Sequence, residues 1–157
     1  MLKNKKAGFT LMELLVVVMI IAILALLGWF FTSKAKDRAR DAQRKSDLRQ
    51  IKTALELYRN VYNQYPTHNS SNQIVACGEP AVACSWGEAW TRGTMTYMKK
   101  LGKDPLPTKS YSYQRPSSEE YCLIAELEMD DDELIAESQA QCSSCGATGA
   151  EYVVCND

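Results

Sequence analysis

An apolar run of 18 residues, Leu14 to Phe31, lies near the start of the chain and contains no charged side chain. This length is about the minimum for a transmembrane helix and is long for the core of a secretory signal. Residues 1–8 carry three lysines and no acid, and no small-residue cleavage motif follows the run. The run is therefore predicted to stay in the mature protein, within a membrane span at about residues 9–31.

A helix is predicted to continue beyond the apolar run, because residues 33–63 contain neither Gly nor Pro. Apolar side chains recur there every three or four residues, as they do on one face of a helix. They are Leu48, Ile51, Leu55, Tyr58 and Tyr62. Tyr65-Pro66 is expected to end the helix. The sequence thus predicts one helix over residues 9–63, with a membrane half and an amphipathic half that packs on a small domain, residues 64–157.

Basic residues follow the predicted span more densely than they precede it. Three lysines lie before it, and Lys34, Lys36, Arg38, Arg40, Arg44 and Lys45 lie soon after it. The positive-inside tendency alone would keep the C-terminal side in the cytoplasm. Lys36, Arg40 and Arg44 also form a basic row, four residues apart. Three interpretations of the row stay open: a solvated face, a contact with lipid head groups, or a contact with acidic groups of an adjacent subunit.

All six cysteines follow residue 76, and an even number in one small region indicates disulfides formed in an oxidising compartment. This places the C-terminal domain outside the cytoplasm. The favoured pairing is Cys77–Cys84, which closes a short loop, Cys122–Cys155, which joins neighbouring strands, and the remaining pair Cys142–Cys145. Two alternatives stay open for the last pair, a thioredoxin-type redox site and a zinc site shared with another cysteine pair.

The C-terminal domain shows strand signals after a loop-like start. Residues 67–93 are predicted as loop, Met95 to Leu101 as a short helix and Asp104 to Pro107 as a rigid turn. Strands are predicted at Tyr111–Gln114, Tyr121–Met129 and Glu151–Cys155, with Tyr121, Leu123, Ala125 and Leu127 on one face. The fold class is therefore α+β, a long helix packed on a small antiparallel sheet with disulfides.

The residues from Lys6 to Glu13, Lys-Ala-Gly-Phe-Thr-Leu-Met-Glu, followed by an apolar run, resemble the prepilin signal of type IV pilins and type II secretion pseudopilins. The resemblance implies that a membrane peptidase cuts between Gly8 and Phe9, so that residues 1–8 are a leader peptide. It also implies N-methylation of Phe9 and an assembly role for Glu13, the fifth residue of the mature chain. In a filament, the α-amine of Phe9 would pair with Glu13 of a neighbouring subunit.

The resemblance implies a structural filament subunit, not an enzyme, of either a pilus or a secretion pseudopilus. The alternatives are a minor tip or binding subunit and a membrane-tethered thiol oxidoreductase. The implied partners are other copies of the chain, the prepilin peptidase and methyltransferase, the inner-membrane assembly platform and membrane lipid. Nucleic acid is expected only for a DNA-uptake pilus. The implied location is the bacterial inner membrane, crossed once with the C-terminal domain outside the cytoplasm, and then a periplasmic or extracellular filament.

Four consecutive acids follow the strongest predicted strand: Asp130, Asp131, Asp132 and Glu133. They could be a solvated loop. Clustered carboxylates on a flexible loop also suit calcium, and the resemblance implies such a site in this region. No other cofactor is expected.

Overall fold

The computed structural model describes residues 9–156, and within the first helix it omits the side chains of residues 27–32. The chain divides into two compact units, residues 1–36 and residues 37–157. The first helix, α1, begins at Leu11 and ends at Tyr62. These bounds lie within two residues of the predicted helix at both ends, as the absence of Gly and Pro from residues 33–63 leads one to expect.

The first unit contains the N-terminal part of α1. Its described side chains from Leu11 to Leu26 are predominantly apolar and exposed. Among the residues that the structure describes, no helix meets the combined requirement of length and apolarity for crossing a membrane. The predicted span at residues 9–31 includes side chains outside the described part, so the span stays a prediction.

The second unit consists of α1 from Asp37 onward and three small antiparallel sheets. The first sheet contains β1 (Thr67–His68), β2 (Ile74–Cys77) and β3 (Val82–Ala83). The second contains β4 (Trp90–Arg92) and β5 (Met95–Met98). The third contains β6 (Ser112–Gln114), β7 (Cys122–Glu126) and β8 (Glu151–Cys155), with β7 in the centre. Between β7 and β8 lie the helix α2 (Glu133–Gln141) and a short 3-10 helix, Ser143–Cys145.

The apolar stripe predicted on α1 forms one wall of the main core. Leu48, Ile51 and Leu55 are fully buried, and each contributes about 1.5–3 kcal/mol through removal of its side chain from water. Leu123 of β7 belongs to the same buried cluster. Tyr121 and Ala125 share this cluster, so the predicted face is confirmed for these three residues, but β7 itself is Cys122–Glu126, shorter than the predicted Tyr121–Met129.

The third sheet is buried on both faces. Leu123 and Val154 pack in the main core with α1, whereas Ile124 and Val153 form a second small cluster with Cys142. Ile124 and Val153 are also direct partners across β7 and β8. Because neighbouring residues in a strand point to opposite faces, this pattern requires a cover on the second face as well as the helix on the first.

The prediction of a short helix at Met95–Leu101 is wrong, because β5 occupies Met95–Met98 and pairs with β4. Arg92 and Met95 close a two-residue loop that starts at Gly93, whose φ of 57° suits glycine. Residues 67–93, predicted as loop, contain four short strands.

The second helix, α2, lies between the last two predicted strands, where the sequence analysis predicts no helix. Asp132 caps α2, and its carboxylate accepts a hydrogen bond from the Leu134 N–H at 3.0 Å. Ile135 and Ser138, three residues apart, are the buried side chains of this helix. An Asp followed by a short apolar pattern at helical spacing is a recognisable helix start, so the signal was present in the sequence.

Candidate functional site

The start of α1 is closed by a reciprocal pair of hydrogen bonds between Thr10 and Glu13. The Glu13 Oε2 atom accepts from the Thr10 backbone N–H and from the Thr10 hydroxyl, both at 2.9 Å. The Thr10 hydroxyl oxygen accepts from the Glu13 N–H at 3.2 Å. This arrangement is a capping box, which satisfies N–H groups that the first turn of a helix leaves without partners.

The cap gives Glu13 a local role that the sequence interpretation missed, although Thr-x-x-Glu is a known signature of it. Phe9 lies next to the cap and is 82% exposed, and Glu13 is exposed as well. Gly8 lies outside the described residues, so the structure describes only Phe9 of the predicted Gly8–Phe9 cleavage site. The structure therefore presents the Glu13 carboxylate at an accessible position, held in place by its own helix.

Arg44 is the most deeply buried charged residue of the second unit, with a side chain 0% exposed. Its Nε and Nη2 atoms donate to the two oxygens of Asp104 at 2.7 and 2.9 Å. Its Nη1 atom donates to Asp41 at 2.6 Å and to Glu128 at 2.7 Å. We call Arg40, Asp41, Arg44, Asp104 and Glu128 the ion cluster. Arg44 is thus surrounded by three carboxylates, which is the condition under which a buried charge is tolerated.

The ion cluster ties three parts of the second unit together. Asp104 comes from the predicted Asp-Pro turn, whose shape is supported by a hydrogen bond from the Leu106 N–H to Asp104 at 2.8 Å. Glu128 follows β7, and it also binds Arg40, whose Nε atom donates to it at 2.7 Å. The cluster therefore joins α1, the Asp-Pro turn and the segment after β7.

The charges of the cluster change the ionisation of its members. Hydrogen bonds from Arg40, and then from Arg44, lower the pKa of Glu128 to about 2. Burial alone would lower the pKa of Arg44, but its hydrogen bonds to Asp104, Glu128 and Asp41 raise it instead. Glu128 and Arg44 therefore stay charged at neutral pH.

Asp41 and Lys45 of α1 bind the start of the segment that connects β7 to β8. The Asp41 carboxylate accepts from the backbone N–H groups of Glu128 and Met129, at 3.0 and 2.9 Å. Lys45 forms an ion pair with Asp132, the residue that caps α2. Charged and polar contacts with α1 therefore hold Glu128, Met129 and Asp132 in place.

These contacts show what two members of the basic row on α1 do. Arg40 binds Asp37 at 2.6 Å as well as Glu128, and Arg44 is wholly internal. Lys36 is exposed. The three interpretations of the row as an outward-facing surface are wrong for Arg44, whereas Arg40, whose side chain is 27% exposed, is partly solvated and pairs with acids of the same chain. The sequence could not show this, since Asp104 and Glu128 are 60 and 84 residues away from Arg44.

Three disulfides join the six cysteines: Cys77–Cys84, Cys122–Cys145 and Cys142–Cys155. The first is the predicted short-loop bond. The other two correct the prediction that Cys122 pairs with Cys155 and Cys142 with Cys145. Cys122 and Cys155 are indeed direct partners on β7 and β8. However, α2 and the 3-10 helix cover that face of the sheet and bring Cys142 and Cys145 onto the two strand cysteines.

The disulfides also bear on the two alternatives for Cys142 and Cys145. Each of the six cysteines is bonded to another, so Cys142 and Cys145 do not form a Cys-x-x-Cys redox pair with each other. Zinc binding needs thiolates, and sulfur atoms in a disulfide cannot supply them. Neither alternative fits the oxidised chain.

In the folded chain, the four consecutive acids after β7 have different surroundings. Asp132 caps α2 and binds Lys45, Glu133 lies in the first turn of α2, and Asp130 and Asp131 are exposed. Among the described residues, no three Asp, Glu, His or Cys side chains are grouped as metal ligands. The acidic run does not fit a calcium site as it is folded here, and calcium binding stays a prediction.

Comparison with known proteins decides the family. Residues 3–29 match the prokaryotic N-terminal methylation motif, and residues 32–144 match type II secretion system (T2SS), protein G. The chain belongs to the type II secretion system protein G family. The sequence motif alone does not distinguish a pilus subunit from a pseudopilus subunit. The family match does, and it identifies the type II secretion pseudopilus. A member of this family is a structural filament subunit that is cleaved and methylated at its N-terminus.

Several relatives carry the name type II secretion system core protein G. The one from Aeromonas hydrophila is 32% identical over 110 residues, which is 67% of this chain and 71% of the relative. The one from Pseudomonas aeruginosa is 30% identical over 118 residues, 75% of this chain and 80% of the relative. The one from Escherichia coli is 31% identical over 104 residues, 65% and 68%. No solved structure gave a significant match.

Proposed function

We propose that this protein G family member is the repeating subunit of a type II secretion pseudopilus, and that Glu13 selects the register in which it assembles. Before assembly the chain crosses the inner membrane once, at about residues 9–31, with the second unit in the periplasm. The partners are other copies of the chain, the prepilin peptidase and methyltransferase, the assembly platform and membrane lipid. The chain carries out no catalysis.

The accessible, capped carboxylate of Glu13 is the observation that supports this proposal. Cleavage between Gly8 and Phe9 creates an α-amine four residues before Glu13, and N-methylation leaves that amine basic. Inside an apolar filament, an amine of one subunit and a carboxylate of the next attract strongly, and each removes the desolvation cost of the other. A subunit in the wrong register would bury Glu13 without a cation.

The negative charge of Glu13 and its contribution to the helix cap can be separated by substitution, because Thr10 takes part in the cap but carries no charge. Glu13→Gln removes the negative charge but keeps an oxygen that can accept from the Thr10 N–H. Thr10→Ala removes the hydroxyl of the cap but keeps the charge. We expect Glu13→Gln to lower filament yield at least tenfold and Thr10→Ala to lower it less than twofold.

The measurement compares chain in sheared filaments with chain in the membrane fraction of cells that carry the cognate secretion machinery. Mass spectrometry of the N-terminus checks that both variants are cut before Phe9 and methylated. Normal filament yield from Glu13→Gln, with normal processing, would show that the charge does not direct assembly. An equal loss in Thr10→Ala would assign the effect to the helix cap.

A further inference from the structure

Four of the six cysteines meet at one place in the second unit. Cys122 and Cys155 are opposite each other on β7 and β8, so their side chains leave the same face of the sheet. Cys142 ends α2, where its N–H donates to the Ser138 carbonyl at 2.9 Å. Cys145 follows in the 3-10 helix, and its N–H donates to the Cys142 carbonyl at 3.0 Å. We call these four residues the cysteine cluster.

The two disulfides of the cluster cross each other along the chain. Cys122 bonds Cys145 with a Cα–Cα distance of 5.6 Å, and Cys142 bonds Cys155 with a distance of 5.8 Å. Each bond therefore joins one strand to the segment that covers the sheet. Both require α2 and the 3-10 helix to be docked on the face that carries Ile124 and Val153.

A second pairing of the same four sulfur atoms needs no docked helix. Opposite residues of an antiparallel pair have Cα atoms about 4.5–5.5 Å apart, within the range for a disulfide. Cys122 and Cys155 meet this condition as soon as β7 and β8 pair. Cys142 and Cys145 are three positions apart in a hydrogen-bonded turn, so little chain entropy is lost in joining them.

The segment that covers the sheet, α2 and the 3-10 helix, packs on it through few apolar side chains, so we expect it to dock after β7 and β8 have paired. The second hydrophobic cluster has three buried members, Ile124, Cys142 and Val153, and α2 adds the buried side chain of Ile135. Polar contacts also hold α2 to β8: the Ser138 hydroxyl accepts from the Val153 N–H at 3.2 Å, and the Gln139 side-chain amide donates to the Glu151 carbonyl at 2.8 Å. The paired strands β7 and β8, in contrast, pack directly in the main core through Leu123 and Val154.

We propose that oxidation first closes Cys142–Cys145 and Cys122–Cys155, and that thiol–disulfide exchange within the cysteine cluster then converts them to the final crossed pair. The chain is thereby a substrate for a dithiol exchange catalyst in the compartment where it is oxidised. The docking of α2 selects the final pairing, since only the crossed bonds hold it to the sheet.

The exchange conserves atoms and electrons. A thiolate of the dithiol catalyst attacks Cys142 Sγ in the Cys142–Cys145 bond, and Cys145 leaves as a thiolate. The Cys145 thiolate attacks Cys122 Sγ, which forms Cys122–Cys145 and releases the Cys155 thiolate. That thiolate attacks Cys142 Sγ in the mixed disulfide, which forms Cys142–Cys155 and returns the catalyst thiolate. The preceding oxidation passes two electrons and two protons per disulfide to an external oxidant.

The test is to reoxidise the reduced full chain in detergent micelles with a thiol-free oxidant, diamide, and to map the disulfides over time. Samples are blocked with N-ethylmaleimide, digested and analysed by mass spectrometry. We expect Cys122–Cys155 and Cys142–Cys145 to be the main bonds at first. After removal of diamide, which would otherwise oxidise the added thiol, reduced glutathione should convert them to the crossed pair at least tenfold faster than in its absence.

Two controls make the result specific. Cys77–Cys84, outside the cluster, should form at the same rate with or without added thiol. A chain with both Cys142→Ser and Cys155→Ser retains Cys122 and Cys145 but has no second bond within the cysteine cluster, so its Cys122–Cys145 bond should not depend on added thiol. Direct formation of the crossed pair in diamide alone would overturn the proposal, as would thiol dependence in the double variant. The measurement involves no filament, so its outcome is independent of the proposed function.

Discussion

At the residue scale, Arg44 shows how a charge is accommodated inside the second unit. Three carboxylates bind one guanidinium, and Asp104 does so through both oxygens. Removal of the cation would leave Asp41 and Asp104, both buried, without their main partner. A buried pair is not by itself stabilising, but loss of one member is costly.

Arg44→Met is therefore expected to lower the free energy of unfolding by about 3–5 kcal/mol. Arg44→Lys should also be destabilising, because a lysine ammonium cannot bind Asp104 through two parallel hydrogen bonds. Arg38→Met, at an exposed position on the same helix, is the matched control and should change stability by less than about 0.5 kcal/mol. Denaturant unfolding of the full chain, followed by circular dichroism, checks this, and similar stability of all three variants would contradict it.

Glu128 leads to a prediction about pH. Its pKa is lowered to about 2 in the folded chain from an ordinary value of 4.5. A lowered pKa means that the carboxylate stabilises the fold above about pH 4.5, and that this contribution is lost as the pH falls towards 2. Glu128→Gln should therefore flatten the loss of unfolding free energy between pH 4.5 and 2. A pH profile of the variant parallel to that of the original chain would contradict the assignment.

At the element scale, α2 depends on its first residue. Asp132 both caps this helix and pairs with Lys45 of α1, so it links the two helices. Its neighbour Asp131 is exposed and belongs to the same acidic run. The two residues look alike in sequence, and only their position relative to the first turn of α2 separates them.

Asp132→Ala is expected to lower the free energy of unfolding by about 1–2 kcal/mol, through loss of the cap and of the partner of Lys45. Asp131→Ala should change it by less than about 0.5 kcal/mol. Hydrogen exchange of the amides in Glu133–Gln141, measured in both variants, should show faster exchange only for Asp132→Ala. Equal effects of the two substitutions would indicate that the carboxylates act together, as they would around a bound cation.

At the scale of the whole molecule, the segment that connects β7 to β8 is held by ion pairs near its start and by disulfides near its end. The ion cluster fixes the segment after β7, and two disulfides fix the segment before β8. No group of metal ligands was found among the described residues. Ionic contacts and disulfides therefore support the two ends of the segment between β7 and β8.

We expect the melting temperature of the full chain to fall by more than about 10 °C on reduction, and calcium binding at the acidic run to show as a rise in melting temperature between a chelator and excess calcium. Differential scanning fluorimetry in detergent measures both. Because Cys122–Cys145 closes a longer loop than Cys77–Cys84, its removal should cost more, about 3 against about 2 kcal/mol. A calcium-dependent rise that Asp130→Ala or Asp131→Ala abolishes would support the calcium prediction, and no rise would remove it.

Much of this protein was determined by local sequence. The prepilin motif around Gly8 and Glu13 indicated the family, the spacing of Leu48, Ile51 and Leu55 indicated the face of α1 that is buried, and alternation indicated β7. These features depend on neighbours within a few residues, whose geometry is set by helix and strand periods. The capping box and the start of α2 were also readable, but they were missed.

Only the tertiary structure decided which charges and which sulfur atoms meet. Arg44 looked like part of an outward basic row until distant acids surrounded it, and Cys122 looked like the partner of Cys155 until α2 covered their sheet face. Both depend on contacts between residues far apart in the chain. A charge or a thiol has several partners of equal chemistry in the sequence, and packing alone selects among them.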